Sequence, residues 1–300
     1  MLKILNKNSP LIIGRLYSST SSFSNKKELV LIDDNYENNF MRRILMNNEK
    51  QRNALSLEMI RELSQAVDST DLNKCRVLVL GSTSSTIFSS GHNLKEFIYD
   101  DIHNVKYHEN LFNECTNLCL KLKKLPMPTI AQVSGLAAAA GFQLASSCDM
   151  IVATNKSSFS TPGVKFGLFC STPGVALSRN VSSKISLKML FTGEPIFANE
   201  ALQHGLITEI VNIDNDPNAL TKRVDHLCSL IKANSKPVIE MGKACFYQQI
   251  EFNNNLEKAY QVAGETMVNN IKLKDTQIGM KAFKSKSKPI WTHLNEKEID

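Results

Sequence analysis

Three hundred residues, 42% of them apolar, suffice for one large domain or two smaller ones with a substantial buried core. A single Trp and a modest aromatic share argue against a stacking platform for single-stranded nucleic acid, and no apolar run is long enough to span a membrane. The formal charge of +6 falls to +3 once residues 1–17 are set aside, since Lys3, Lys7 and Arg15 leave and no acid leaves with them; such mild basicity does not call for nucleic acid.

In chain order, the first 27 residues carry Lys3, Lys7, Arg15, Lys26 and Lys27 and no carboxylate before Glu28. Leu2, Ile4, Leu5, Leu11, Ile12, Ile13 and Leu16 add an apolar face, and Ser18 to Ser24 is nearly all Ser and Thr. This composition reads as a mitochondrial transit peptide, with Arg15-Leu16-Tyr17-Ser18 similar to a matrix-peptidase site, and places the mature protein in the matrix; a disordered tail is the alternative. Strands are predicted over Glu28–Asp33 and Phe40–Met46, with a polar turn between them. Ser56 is a good N-cap for a helix carrying Leu57, Ile60, Leu63 and Val67. Cys75–Leu80, closed by Gly81, reads as a buried strand. Leu94–Leu125 reads as mostly helical and stops before Pro126 and Pro128. Thr129–Val133 is predicted as a strand, the alanine segment after Gly135 as a helix, and Met150–Ala153 as a strand. Thr172-Pro173-Gly174 opens a helical run, Ile185–Phe191 and Asn199–His204 look helical, and Leu206–Ile213 strand-like. From about Asn218 to Lys288 the spacing is amphipathic and helical, with Pro237 starting a new helix. Strand–strand–helix units first and helices last predict an α/β core with an all-helical C-terminal part.

Seven cysteines, at 75, 115, 119, 148, 170, 228 and 245, are scattered and odd in number, which argues for free thiols in a reducing compartment. No Cys-x-x-Cys and no His-x-x-x-His occurs, so no metal site is expected.

Two segments stand out. Phe88-Ser89-Ser90-Gly91-His92-Asn93-Leu94-Lys95-Glu96 and Ser134-Gly135-Leu136-Ala137-Ala138-Ala139-Ala140-Gly141-Phe142-Gln143-Leu144-Ala145 each place small residues where a strand-like run becomes helix-like. Small residues let a carbonyl oxygen approach backbone N–H groups, and the first N–H groups of a helix have no internal partner. Two such sites give one oxygen two donors, an oxyanion hole.

These segments, with Arg52-Asn53-Ala54-Leu55-Ser56, Cys148-Asp149-Met150-Ile151-Val152-Ala153, Phe159-Ser160-Thr161-Pro162, Leu190-Phe191-Thr192-Gly193-Glu194 and Ala201-Leu202-Gln203-His204-Gly205-Leu206, resemble the enoyl-CoA hydratase/isomerase (crotonase) superfamily from about residue 28 to 288. The resemblance implies a crotonase-like spiral of ββα units with a helical C-terminal region. It implies three segments: residues 1–27 as transit peptide, 28–215 as spiral core and 216–300 as a helical trimerisation region. It implies an acyl-CoA thioester as ligand, a homotrimer or dimer of trimers, a role in fatty-acid metabolism, and no cofactor. Carried over residue by residue, the hole donors are the N–H groups of His92 and Ala140. Arg52, Ala54, Ser90, Gly91, Lys95 and Gly141 line the substrate, Lys95 toward the CoA phosphates.

The site departs from the family at the two glutamate positions, which hold Gln143 and Gly163. An amide and a hydrogen cannot exchange a catalytic proton near neutral pH, so efficient hydration is not expected. His92 is a substitute base by residue type, with a packed loop histidine as the alternative. Cys170 and Ser171 have no adjacent base. Asp149 is expected to pair structurally, and Lys281, Lys284, Lys286 and Lys288 to be a solvated run. Three functions stay open: an enzyme of different chemistry on acyl-CoA (isomerase, hydrolase or decarboxylase type), a non-catalytic binder, and, more weakly, RNA binding.

Overall fold

A computed structural model describes residues 28–35, 40–252 and 254–298; the transit-peptide reading lies outside the described residues. Strand β1 (Val30–Asn35) runs antiparallel to β2 (Met41–Met46), and β2 pairs in parallel with β3 (Val77–Ser82). From there the chain repeats one manoeuvre. A strand enters a large sheet, the next strand enters a small one, and a helix returns. β3 is followed by β4 (Ile87–Ser89) and α2 (Val105–Lys124). β5 (Thr129–Val133) is followed by β6 (Leu136–Ala138) and α3 (Ala140–Ser146), and β7 (Met150–Thr154) by β8 (Ser158–Ser160). The large sheet therefore runs β1-β2-β3-β5-β7-β10, with β10 at Glu209–Val211, and the small one β4-β6-β8-β9, with β9 at Ile196–Phe197. Each crossover is parallel, so the chain advances as a spiral.

The first helix, α1 (Leu57–Asp68), starts where Ser56 caps it by accepting from Met59 N, and it buries Leu57, Ile60, Leu63 and Val67 as their spacing predicts. Between the two sheets lies the main core, in which Phe88, Phe142 and Phe159 are fully buried. α4 (Ser171–Asn180), α5 (Ser183–Thr192) and α6 (Ala198–Gln203) close its far side. α7 (Ala219–Lys232) lies on the other face of the large sheet, where Leu220, Val224 and Cys228 pack on Met41, Val77, Val79, Ile130 and Val152. α8 (Lys236–Glu251), α9 (Leu256–Ile271) and α10 (Lys274–Lys284) follow.

Three elements differ from the sequence reading. The stretch from Leu94 to Leu125 is not one helix: a single 3₁₀ turn, Leu94–Phe97, precedes an irregular segment, and α2 begins only after Asn104, which caps it through Tyr107 N. Ile98, Tyr99 and Ile102 in that gap are exposed, so no buried face holds them in a helix. The alanine segment begins as strand β6, because Leu136–Ala138 pair with β4 on one side and β8 on the other, and ladder pairing overrides alanine's helical preference. β10 is also shorter than Leu206–Ile213.

Candidate functional site

The small sheet positions the site. β4, β6 and β8 are adjacent and parallel, and each ends at a residue the sequence singles out: Ser90-Gly91-His92 after β4, Ala139-Ala140 after β6, and Thr161-Pro162-Gly163 after β8. The carboxyl ends of neighbouring parallel strands are where ligands bind in open α/β sheets. Ala139 N donates to Ser160 O at 2.9 Å, so the second and third segments are tied together. The first and second meet through Gly91, where a Cβ would lie 2.8 Å from the Ala139 Cβ and 3.1 Å from Ala140 N. Gly91 also has φ +89°, so both space and backbone angle select glycine. Gly141 is pressed against Ser89, where a Cβ would fall 2.6 Å from the Ser89 carbonyl oxygen.

A fourth strip lashes these ends in place. Arg52 and Asn53 take the left-handed conformation, at φ +56° and +48°. Ser90 N then donates to Arg52 O (3.0 Å), Leu55 N to Gly91 O (2.8 Å), and Ser89 Oγ to Asn53 O (2.8 Å). Fully buried Asn53 donates through Nδ2 to Ser82 Oγ, Ile87 O and Phe88 O, and its Oδ1 accepts from Asn48 N. Arg52 itself is exposed and Ala54 half-buried, so Asn53 is the residue of the motif that does the holding. Its cue in the sequence was only an Asn where a loop needs positive φ.

Among the described residues neither His92 N–H nor Ala140 N–H is spent on an acceptor. Ala140 opens α3, so its N–H has no helical partner. Ala139 before it sits at φ +47°, ψ −120°, a conformation that disfavours any side chain and costs about 1–3 kcal/mol. That strain turns the backbone from β6 into α3 within one residue and leaves Ala140 N beside Gly91.

The two positions where the resemblance puts glutamates differ in kind. Gln143 is buried in α3; its amide lies against the Cys119 thiol and its Oε1 has no partner. Gly163 has no room for a side chain. A Cβ there would fall 2.2 Å from Leu168 O and 2.8 Å from Cys170 Sγ, because Leu168 N folds back onto Gly163 O and Gly163 N donates to Cys170 Sγ. Burial holds the Cys170 thiol above its usual range, so it is not an activated nucleophile.

Polar atoms around these strand ends are left over. Seven buried side-chain polar atoms among the described residues lack a partner, and four of them, on His92, Gln143, Ser146 and Thr161, lie in the segments that follow β4, β6 and β8. Buried polar groups are normally paired, so this concentration sets the strand ends apart from the rest of the described core. The His92 ring stands between Phe97 and Phe112, with centroids 5.7 and 5.4 Å away. Glu96, at the end of the first of the two segments, is buried and accepts from Leu57 N, Asn93 Nδ2 and Tyr107 Oη. Burial, and then the Glu96 hydrogen bond and charge, push the Tyr107 hydroxyl up to about 12. Lys95, in the same Leu94–Phe97 turn, is exposed.

Asp149 is not part of the site. Its carboxylate accepts from Thr129 N and Oγ1, from Lys243 Nζ at 2.7 Å and from Tyr247 Oη at 2.7 Å, bolting α8 to the base of β5 and β7. Lys281, Lys284, Lys286 and Lys288 are all exposed. The seven cysteines are free thiols, and among the described residues no cluster of three or more His, Cys, Asp or Glu could hold a metal ion.

Two sheets wound by ββα units, with backbone donors gathered at the ends of the small one, define a class. The sequence model of the enoyl-CoA hydratase/isomerase family matches residues 37–294, and this chain belongs to that family. It is 47% identical over 254 residues to enoyl-CoA hydratase domain-containing protein 3, mitochondrial, of Xenopus laevis, covering 84% of this chain and 83% of that one. To the human protein of the same name it is 46% identical over 255 residues, covering 84% and 81%. The crystal structure of human enoyl Coenzyme A hydratase domain-containing protein 3 superposes with a TM-score of 0.81 at 41% identity, over 88% of this chain and 100% of that one. An enoyl-CoA hydratase of Mycobacterium smegmatis gives 0.81 at 38%, over 88% and 99%.

Proposed function

We propose that this chain binds acyl-CoA thioesters in mitochondria, holding the thioester oxygen between His92 N–H and Ala140 N–H, and that it is not an efficient enoyl-CoA hydratase. The observation that carries the first half is the pair of unspent N–H groups at the ends of β4 and β6, brought together by Gly91. Ser90, Gly91 and Gly141 form the floor of the cleft, Arg52 and Ala54 its edge, and Lys95 a cation for the CoA phosphates. The second half rests on Gln143 and on the filled space at Gly163. Hydration needs one group to activate water and one to deliver a proton, and each typically contributes 10²–10⁴-fold. Fatty-acid metabolism is the setting in which such thioesters arise.

The test titrates the purified protein with a panel of acyl-CoAs and assays crotonyl-CoA hydration in parallel. Binding without appreciable hydration is expected. Turnover in the ordinary enzymatic range, roughly 1–10³ s⁻¹, would contradict the second half, and absence of binding the first. Import rests on the acid-free leader: residues 1–30 fused to a reporter should reach mitochondria, and a diffuse cytosolic signal would count against it.

Assembly as a homotrimer, or a dimer of trimers, is part of the same reading. Phe166, Phe169, Phe191 and Phe197 are exposed on one run of elements after β8, and Tyr260, Met267 and Phe283 on α9 and α10. Apolar surface of that kind is what symmetric association buries. Sedimentation should give a mass of three or six chains rather than the 33.5 kDa of one.

A further inference from the structure

We propose that His92 is the proton-transfer group of this site: its Nε2 removes a proton from Cα of a bound acyl thioester while its own backbone N–H helps hold the resulting enolate oxygen. The inference rests on the acyl-thioester reading above and adds the chemistry that the missing carboxylates would otherwise supply.

The tautomer follows from the hydrogen bonds. His92 Nδ1 lies 3.2 Å from Leu55 O, and a carbonyl only accepts, so Nδ1 carries the proton and Nε2 presents its lone pair. Leu55 O is itself fixed, because the Leu55–His92 bridge is one of the bonds that lash the hole together. Nε2 is buried and has no partner among the described residues. Phe97 and Phe112 flank the ring, giving it apolar surroundings. The covalent reach of the side chain keeps Nε2 within about 6–7 Å of the His92 backbone N. That reach is comparable to the separation between an oxygen held on the N–H and the first carbons of its acyl chain, and proton transfer requires the imidazole to meet Cα there.

Burial holds the imidazole below the usual histidine range, against smaller upward pulls from the Leu55 carbonyl and the Glu96 carboxylate. At neutral pH it is therefore the free base. Glu96 is the charged group that faces it. Tyr107 and His108, on the turn of α2 before Phe112, are turned to Glu96 instead, the hydroxyl to its carboxylate and the imidazole to its backbone oxygen. Of the other unpartnered atoms in these segments, Gln143 Oε1 belongs to an amide and Ser146 Oγ and Thr161 Oγ1 to hydroxyls, none of which takes up a proton near neutral pH.

The step balances without a co-reactant. The Cα–H electron pair becomes the Cα=C bond, the carbonyl π pair moves to oxygen between the two N–H donors, and the proton passes to Nε2. Return of that proton to Cα regenerates the thioester, and return to Cγ of a β,γ-unsaturated chain moves the double bond.

Full-length protein is incubated with butanoyl-CoA in D2O, and deuterium at Cα is followed by NMR, with affinity measured alongside. Butanoyl-CoA has no double bond, so hydration cannot intrude. Protein-dependent exchange is expected, and His92→Gln should slow it by about 100-fold or more while changing affinity less than about threefold. The wild-type rate should rise with pH and level off at a midpoint below the ordinary histidine value. That profile decides the matter if the variant does not fold: a rate that keeps following hydroxide concentration would overturn the assignment. So would absence of exchange in protein that binds the thioester, or undiminished exchange in folded His92→Gln. Failure of the wild type to bind any acyl-CoA would overturn the acyl-thioester reading itself, and the role of His92 with it.

Discussion

The strand ends around His92 and the junction around Asp149 lie in one fold and treat polar atoms in opposite ways. At the junction both carboxylate oxygens are taken, by Thr129, Lys243 and Tyr247. At the strand ends two N–H groups and four side-chain atoms are left without partners, and Ala139 is strained. A network with its polar atoms paired serves stability; the unpaired atoms at the strand ends do not, and the proposed ligand would satisfy the N–H groups among them. The two can therefore be broken separately.

The largest separation should come from Lys243→Ala. It leaves a carboxylate of low exposure without its cation and should cost about 3 kcal/mol in urea unfolding, with acyl-CoA affinity unchanged. An equal loss of affinity would join the two regions. Next is Gly163→Ala. Its Cβ would meet Leu168 O, so it should lose about 2 kcal/mol and make Gln143→Glu/Gly163→Glu no route back to hydration. If the double variant folds normally and hydrates crotonyl-CoA well, the space at 163 is misjudged.

Acid should then find the histidines. Folding holds His92 below its unfolded range, chiefly through burial, and His293 as well, chiefly through burial and then Arg76, which donates to its Nδ1. The unfolded chain therefore binds protons more readily. The stability contributed by these neutral rings is complete above about pH 6.5 and is lost as pH falls through their folded values. Unfolding midpoints compared at pH 7.5 and 5.5 should show this loss, and His92→Gln should shrink the difference; an unchanged difference would remove His92 from the account. The smallest effect is expected of Gln143→Leu. It replaces an unpartnered amide oxygen with apolar volume and should alter stability by no more than about 1 kcal/mol, in the stabilising direction. A loss of several times that would mean the amide is satisfied after all.

Much of this was legible in the sequence. Period-2 and aliphatic runs placed β2, β3, β5 and β7, and Ser56 with its apolar spacing placed α1. The site segments were legible because glycines and alanines between a strand and a helix have a backbone reason to be there. What was not legible depended on long-range pairing. The strand at Leu136–Ala138 exists only because β4 and β8 flank it, and the break before α2 falls where Ile98 and Tyr99 stay exposed. Glu96 gave no local sign of its role and Asn53 none beyond its tolerance of positive φ, since their partners lie on other elements: Leu57 and Tyr107 for one, Ser82 and Phe88 for the other. The closure of space at Gly163 is likewise made by a loop that folds back five residues later.

The central claim is that Ala140 N–H and His92 N–H hold a thioester oxygen, and Ala140→Val tests it most directly. Isothermal titration with butanoyl-CoA, on variant and wild type of matched thermal stability, should give an affinity at least tenfold weaker for the variant, roughly 1.4 kcal/mol. Ala140 is buried in the core, so the added methyl groups press on the turn that presents its N–H beside Gly91, without removing any side-chain hydrogen bond. An affinity equal to that of the wild type would contradict the account and place the thioester elsewhere.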